Sequence, residues 1–210
     1  MVQQSLLPLL LAFSSAISAA AIPEPSKHGA HVLNVRLPGS GLPAPAGKLL
    51  YIALGVGEQL YTCEGLIAGT DIEPLKTGAK AELRNAGPYL QAHPDLVDNL
   101  PGLARLAPKT VQQLPVLGRH YYIDGIPRKP VFDLSAVHAK FQGIKNAVTP
   151  SPRKDAVDWV KLVDSGDNKS FGGIKTAYRV ETYGGKGPFN CLRSRGPESS
   201  PYSALYFFYG

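Results

Sequence analysis

The sequence predicts an all-β protein: a single-domain β-sandwich or partly closed barrel with a short helical insertion near residues 89–114. Short runs rich in aromatic and β-branched residues recur along the chain, several of them with strict alternation of apolar and polar positions. Gly (22 residues) and Pro (19 residues) make up about a fifth of the 210 residues, which favours many turns between short elements. The insertion contains Pro94, Pro101 and Pro108, so we expect two or three broken helical turns there, acting as a specificity loop or as an edge cover.

The predicted strands begin after residue 47. Lys48–Leu54 is almost entirely apolar, as expected for a strand that is covered on both faces. Gly55-Val56-Gly57 follows it and predicts a tight hairpin into a second strand over Gln59–Ile67. Residues Ala79–Arg84 alternate, with every other side chain charged, and predict a half-buried strand. The remaining predicted strands are Arg119–Ile123, Val131–Leu134, Trp159–Val163, Lys175–Tyr183 and Ser203–Tyr209.

The strand predicted over Lys175–Tyr183 has a clear two-residue period. Tyr178 and Val180 occupy one face, and Arg179 and Glu181 the other. We expect the first pair to face inward and the charged pair to face solvent, because charged side chains are rarely buried without a partner.

The N-terminus has the pattern of a secretory signal peptide over residues 1–21. Its apolar stretch, Leu6–Ile17, contains no charge and is followed by Ala19-Ala20-Ala21, a small-residue cleavage site. A membrane anchor is the alternative, but this stretch is shorter than the ~20 residues that a spanning helix requires. The mature chain is therefore expected to start at Ile22, with Ala21 as the alternative, and to be secreted.

The mature chain divides by composition into two parts. Residues 22–47 are Pro-rich without a sustained period, and predict an extended arm. Residues 48–210 predict a single β domain. No later segment reaches membrane-spanning length.

Two features depend on the expected extracellular location. Cys63 and Cys191 are the two cysteines of the chain, and an even count in an oxidising compartment predicts one disulfide; two buried free thiols are the alternative. Asn168 begins the sequon Asn168-Lys169-Ser170 within a run of Asp, Ser and Gly, which predicts glycosylation in an exposed loop.

No cofactor and no metal are predicted. Gly55-Val56-Gly57 resembles the start of a dinucleotide-binding loop, but the position of the third glycine is Leu60 and the sequence that follows is typical of a strand, not of a helix. The five histidines lack the spacings of helical zinc ligands, and His28 and His31 lie in the predicted arm.

The weak candidates for catalysis are His120, Asp133, Asp158 and Glu64. The three acids are embedded in apolar sequence, which raises the pKa of a carboxyl group when it is buried. On a strand, His120 shares a face with Tyr122. A pair of carboxyl groups in one cleft would suit a small hydrolase or lyase, whereas structural hydrogen bonding is the commoner role of such residues.

The net charge of +6 is concentrated in two segments of the chain, 105–130 and 175–195. Outside the cell, the matching partner would be a cell-wall polysaccharide or another anionic surface, and not nucleic acid. Solvated surface charge is the alternative. The cations concerned are Arg105, Lys109, Arg119, Arg128, Lys129, Lys175, Arg179, Lys186, Arg193 and Arg195.

Several motifs in order resemble a secreted fungal family of unknown function whose members often carry the name malate dehydrogenase. The resemblance extends from about Leu42 to the C-terminus and departs from the family at Glu58, Leu60 and the 89–114 segment. It implies no established catalytic residues, and the missing dinucleotide loop argues against NAD-dependent malate oxidation. The motifs are Gly55–Cys63, Gly118–Tyr122, Pro130–Leu134, Val157–Leu162, Ala177–Gly185, Cys191 and Pro201–Tyr209.

These observations favour a secreted or cell-wall-associated protein that binds a surface or a glycan without catalysis. The ten tyrosines would supply aromatic rings for stacking on sugars. The alternatives are a small secreted hydrolase or lyase that uses the acidic residues, and an effector directed at host cells.

Overall fold

Eight antiparallel strands follow one another around a closed barrel in the computed structural model, which describes residues 33–64, 71–125, 127–192 and 196–210. Each strand pairs with its neighbours in sequence, and the last strand closes the barrel on the first. The all-β prediction is confirmed; the architecture is the barrel, and it is fully closed. The strands are β1 Leu49–Thr62, β2 Leu75–Asn85, β3 Val116–Ile123, β4 Lys129–Leu134, β5 Ala139–Thr149, β6 Trp159–Asp164, β7 Thr176–Gly184 and β8 Pro197–Tyr209.

The predicted hairpin at Gly55-Val56-Gly57 is wrong, because β1 continues through this segment for 14 residues. Gly55 and Gly57 point into the barrel, where there is no room for a side chain. A Cβ atom on Gly55 would lie 2.6 Å from the ring of Tyr206, and one on Gly57 would overlap the carbonyl oxygen of Lys80. These glycines therefore provide space inside the barrel and do not form a turn. Residues 65–67 of the predicted second strand lie outside the described residues.

β5 was not predicted from the sequence. Its exposed positions include the apolar Ile144 and Val148, and it carries a bulge between Lys145 and Ala147, so no simple alternation is visible along the strand. Gly143 also interrupts it, and a Cβ atom there would lie 2.7 Å from the ring of Phe141. Pairing with β4 and β6 makes this segment a strand, although its own sequence does not indicate one.

The helical insertion is confirmed between β2 and β3. Pro94 starts a 3₁₀ turn, Pro101 is the second residue of one α-helix, and Pro108 starts another, as the fixed φ of proline favours at a helix start. The α-helices are α1 Gly87–Ala92, α2 Leu100–Leu106 and α3 Pro108–Val111.

The core has two layers. The inner layer fills the barrel and is dominated by aromatic side chains such as Phe132, Phe141, Tyr206 and Phe208. The outer layer lies between the barrel wall and the insertion, where side chains of β1, β7 and β8 meet those of α1, α2 and α3. Ser203 donates a hydrogen bond of 2.7 Å to the carbonyl of Pro101, which ties α2 to β8. The insertion thus covers an apolar face of the barrel.

Residues 33–47, the described part of the predicted arm, contain no helix or strand and lie against this outer layer. Val35 is 6% exposed, and the hydroxyl of Tyr178 donates a hydrogen bond of 2.9 Å to the carbonyl of Pro43. The arm therefore adds to the outer layer of the core. Residues 1–32, including the predicted signal peptide, His28 and His31, lie outside the described residues.

The faces predicted for β7 are partly wrong. Tyr178 and Val180 are fully buried as expected, but they belong to the outer layer. Arg179 and Glu181, expected in solvent, are each 6% exposed. Because the wall is covered on both sides here, alternation separates two buried environments and does not separate core from solvent.

The disulfide between Cys63 and Cys191 is confirmed, with Cα atoms 5.6 Å apart. It joins the end of β1 to the connection between β7 and β8. Backbone hydrogen bonds from the N–H of Cys63 to Gly196 and from the N–H of Cys191 to Ile72 lie on either side of it. Across the described ranges, no helix has the length and apolar character needed to cross a bilayer.

Candidate functional site

An open groove of about 740 Å³ runs across the outer face of β1, β2 and β3. The strand register builds it, because outward-facing residues lie side by side: Val56 opposite Glu82, and Glu58 opposite Lys80. Its side chains include both charged groups and apolar or aromatic groups. The side chains lining it are those of Val56, Glu58, Lys80, Glu82, Val116, Arg119 and Tyr121, beside the backbone of Gly57, Ala81, Gly118 and His120.

The charges in the groove are paired but accessible. The ammonium of Lys80 lies 2.9 Å from a carboxylate oxygen of Glu58, and this contact lowers the pKa of Glu58. The side chain of Arg119 is 72% exposed; its guanidinium lies 3.6 Å from Asp133 and 5.4 Å from the ring centre of Tyr121. The groove thus offers charged hydrogen-bonding groups beside one aromatic ring.

The tyrosines are mostly not free for stacking on a ligand. Five of the ten are buried, four of them in the two core layers, and the other five are half-buried. Of the half-buried rings, Tyr121 is the one in the groove. The buried tyrosines are Tyr61, Tyr178, Tyr202, Tyr206 and Tyr209.

His120 lies inside the barrel and is 3% exposed. Its ring stacks on Phe132, and it faces Tyr122 with ring centres 5.5 Å apart, so the shared face predicted for these two residues is present. Nδ1 donates a 2.8 Å hydrogen bond to the carbonyl of Val131, and burial lowers the pKa of the imidazole to about 3. The imidazole is therefore neutral at physiological pH.

The three candidate acids lie apart from His120. Asp133 is on the outer surface, paired with Arg119, and the barrel wall separates it from the imidazole. Asp158 is exposed at the end of the barrel, just before β6. Glu64 is exposed in the turn after β1. The fold does not assemble these residues into one cleft.

The carboxyl group with the most altered environment is one that the sequence analysis placed in solvent. Glu181 is buried at a bulge in β7 and has a left-handed φ of 46°. Burial raises its pKa to about 7; the nearby charge of Asp98 adds to this, and Arg153 opposes it. Arg153 in turn lies 3.7 Å from the ring centre of Tyr183. No sequence signal marks Glu181, because its burial comes from the insertion packing over the strand.

The end of the barrel where β1 finishes is polar inside. Gln59 is fully buried there, and neither polar atom of its side chain has a hydrogen-bond partner among the described residues. Arg179, which is also buried, donates from Nε and Nη2 to the carbonyl of Asp158, at 3.2 Å and 2.7 Å. Lys76 and Tyr122 also belong to this region, since burial lowers the pKa of Lys76 to about 7 and the charge of Arg179 acts on both.

The cations that cluster along the chain do not form one unpaired patch. Arg128 lies 3.8 Å from Asp124, and Lys129 lies 2.9 Å from Asp167. Arg179 is inside the barrel, and Arg193 and Arg195 lie outside the described residues. In the parts of the chain with described positions, no group of three His, Cys, Asp or Glu side chains could hold a metal ion.

Asn168 is exposed in the loop between β6 and β7 and has a left-handed φ of 59°, which asparagine tolerates well in turns. The carboxylate of the preceding residue, Asp167, accepts hydrogen bonds from Ser165 and from Lys129, and these lower the pKa of Asp167 to about 2. The bond from Lys129 ties the loop to β4. Glycosylation of Asn168 stays a prediction.

These features define a small up-and-down β-barrel with a charged outer groove and a polar opening. The chain belongs to the family described as protein of unknown function (DUF3455), which matches residues 43–210. Searches of curated proteins and of solved structures found no match. The family match begins next to Leu42, where the resemblance in the sequence also begins.

Proposed function

We propose that the protein is a secreted, cell-wall-associated fungal protein that binds a wall glycan in its outer groove without turning it over. The observation that supports this most is the combination of Tyr121 with accessible charged groups in one open groove. Sugar rings stack their apolar faces on aromatic side chains, and their hydroxyl groups hydrogen-bond to charged side chains. An open groove suits a polymer, since the chain can enter and leave at both ends.

Binding is tested by retention of the mature protein on chitin, β-glucan and mannan at low salt. We expect retention on one of these polymers, and we expect Tyr121→Ala and Arg119→Gln to reduce it strongly. Phe189→Ala is the matched control, because Phe189 is 81% exposed and lies outside the groove. Retention on none of the three polymers, or equal loss in the control, would contradict the proposal.

Secretion is supported by the signal-peptide pattern of residues 1–21 and by the disulfide, which is typical of oxidising compartments. N-terminal sequencing of protein recovered from the culture medium should give Ile22 as the first residue. Digestion with an endoglycosidase should increase the mobility of the wild-type protein on a gel and leave that of Asn168→Gln unchanged. Retention of residues 1–21 on the recovered protein would argue against secretion by this route.

A hydrolase or lyase is the second candidate, and Glu181 is the observation that favours it. A buried carboxyl group with a pKa near 7 is suited to general acid catalysis at neutral pH. Release of soluble sugars from the polymer that retains the protein, abolished by Glu181→Gln, would establish this activity in place of simple binding.

A further inference from the structure

Three cationic side chains belong to the inner face of the barrel near the end where β1 finishes. Lys76 on β2 is paired with Tyr61, which is buried. Lys145 on β5 is paired with Leu162, a member of the inner core layer. Arg179 on β7 is paired with Tyr206 of the same layer. The cations thus come from three separate parts of the wall.

Among the described residues, these cations lack a carboxylate within ion-pair distance, although the charge of Asp158 acts on Lys76. None of the three takes part in an ion pair within the described segments, and Arg179 uses its guanidinium on the backbone carbonyl of Asp158, not on the carboxylate. Lys76 and Lys145 are both exposed, so the region is open to solvent, whereas Arg179 is buried. Burial lowers the pKa of Lys76; the charges of Arg179 and Lys145 add to this effect, and the charge of Asp158 opposes it.

Gln59 supplies a second observation that points to a ligand. Its side chain is fully buried on the inner face of β1, two residues before Tyr61, and both its amide nitrogen and its amide oxygen lack a partner among the described residues. A buried polar group without a partner is costly, and few native groups remain so. A bound ligand with acceptor oxygens would satisfy the amide nitrogen of Gln59.

We propose that the opening of the barrel binds a small oxyanion, a carboxylate or a phosphate group, between Lys76, Lys145 and Arg179, with the amide of Gln59 as an additional donor. Convergent cations in a partly desolvated opening bind such anions more strongly than cations on an open surface do. The ligand would lie at the opening, since aromatic side chains fill the interior of the barrel. This site lies on the inner face of the wall and is separate from the outer groove.

The proposal is tested by calorimetric titration of the whole mature protein at low ionic strength with inorganic phosphate and, in a separate arm, with citrate. We expect saturable binding of one or both, weakened at least about tenfold in the double variant Lys76→Gln/Lys145→Gln, because charge-assisted hydrogen bonds are the stronger ones. The control is Lys109→Gln/Lys154→Gln, which removes two exposed lysines from α3 and from the loop before β6 and should leave binding unchanged.

The two titrations distinguish the two kinds of ligand. Binding of phosphate but not of citrate would indicate a site for a phosphate group, and binding of citrate but not of phosphate would indicate a site for a carboxylate. Should the double variant fail to fold, NMR of the wild-type protein decides: the side-chain amide signals of Gln59 must shift on titration. Unchanged Gln59 signals, no saturable binding, or equal weakening in the control would overturn the proposal. We expect Tyr121→Ala to leave anion binding intact. The test of anion binding is therefore independent of glycan binding in the groove.

Discussion

His120 stacks on Phe132 inside the barrel, with ring centres 4.1 Å apart and ring planes 6° from parallel. The stacking and the hydrogen bond from Nδ1 to Val131 place the imidazole in the centre of the aromatic core layer. There the imidazole has the role of an aromatic core residue with one satisfied donor. A proton on Nε2 would put an uncompensated charge into this apolar surrounding.

Acid should therefore destabilise the protein through His120. The folded-state pKa of His120 is about 3 and the ordinary value is 6.5. Between these two pH values, the imidazole is protonated in the unfolded chain but not in the folded one. Stability contributed by the neutral imidazole is fully present above pH 6.5 and is lost as the pH falls toward 3, by about 1.4 kcal/mol per pH unit for one group. Urea unfolding at pH 7, 5 and 4 measures this loss.

His120→Phe serves as the comparison, since it keeps the ring stacking and removes the titrating group. We expect the variant to lose about 1 kcal/mol in the free energy of unfolding at pH 7, because the hydrogen bond is lost. Its free energy of unfolding should also change less between pH 7 and pH 4 than that of the wild type. Equal pH dependence in the variant and the wild type would show that His120 does not control acid unfolding.

Glu181 should give a pH dependence of the opposite sign. Its folded-state pKa is about 7 against an ordinary 4.5, so the folded chain keeps a proton that the unfolded chain releases between these values. Its contribution is fully present below pH 4.5 and is lost as the pH rises through 7, by at most about 3 kcal/mol. Glu181→Gln should be more stable than the wild type at pH 8 and should not be more stable at pH 4.5. The control is Glu73→Gln, an exposed site where the two proteins should differ little at either pH.

The disulfide should contribute a large part of the stability, because it closes a span of 128 residues in the unfolded chain. The chain-entropy relation gives about 5 kcal/mol for such a loop, as an upper figure. Cys63→Ser/Cys191→Ser should therefore unfold at markedly lower urea concentration than the oxidised wild type. Mass spectrometry that finds two free thiols in the native protein would refute the bond itself, and equal midpoints would refute its contribution.

Strands whose apolar residues recur at every second position were predictable from the sequence. The burial of a residue was not predictable where distant segments of the chain determine it. Ala79–Arg84 and Trp159–Val163 lie in strands as expected, since one face of each is apolar in the sequence. Glu181 could not be found in this way, because the insertion that buries it is far away in the sequence. β5 was missed because its pairing partners, and not its own residues, determine that it is a strand.

The candidate site was predicted less well than the fold. Arg119 and Tyr121 lie in a strand that the sequence predicts, but the groove depends on the register that places Glu58 beside Lys80 across two strands. A single sequence contains no information about that register once a predicted turn is wrong. The error at Gly55-Val56-Gly57 arose because glycine serves equally in turns and in crowded barrel interiors.

The requirement that Gly57 has no side chain can be tested directly. Its Cβ atom in Gly57→Ala would overlap the carbonyl oxygen of Lys80 and lie 2.5 Å from the Cα of Ala81, so β1 and β2 must separate locally. We expect a loss of about 1–3 kcal/mol in the free energy of unfolding, as for overpacking of a core. Gly39→Ala is the matched control, since a Cβ atom there has no neighbour within 4 Å. Equal stability of the two variants would show that the barrel accommodates a side chain at this position.

NADH should not bind to this protein, and malate should not be oxidised with NAD as the acceptor. A dinucleotide-binding loop presents unpaired backbone N–H groups at the start of a helix. Gly55 and Gly57 instead lie within β1, where they are paired with Leu83 and Ala81 of β2 on one side and with β8 on the other. We therefore expect no change in the unfolding temperature and no enhancement of NADH fluorescence when the coenzyme is added, with a known dehydrogenase as the positive control. A dissociation constant in the micromolar range would contradict this expectation, and would require a nucleotide site built from residues other than this glycine pair.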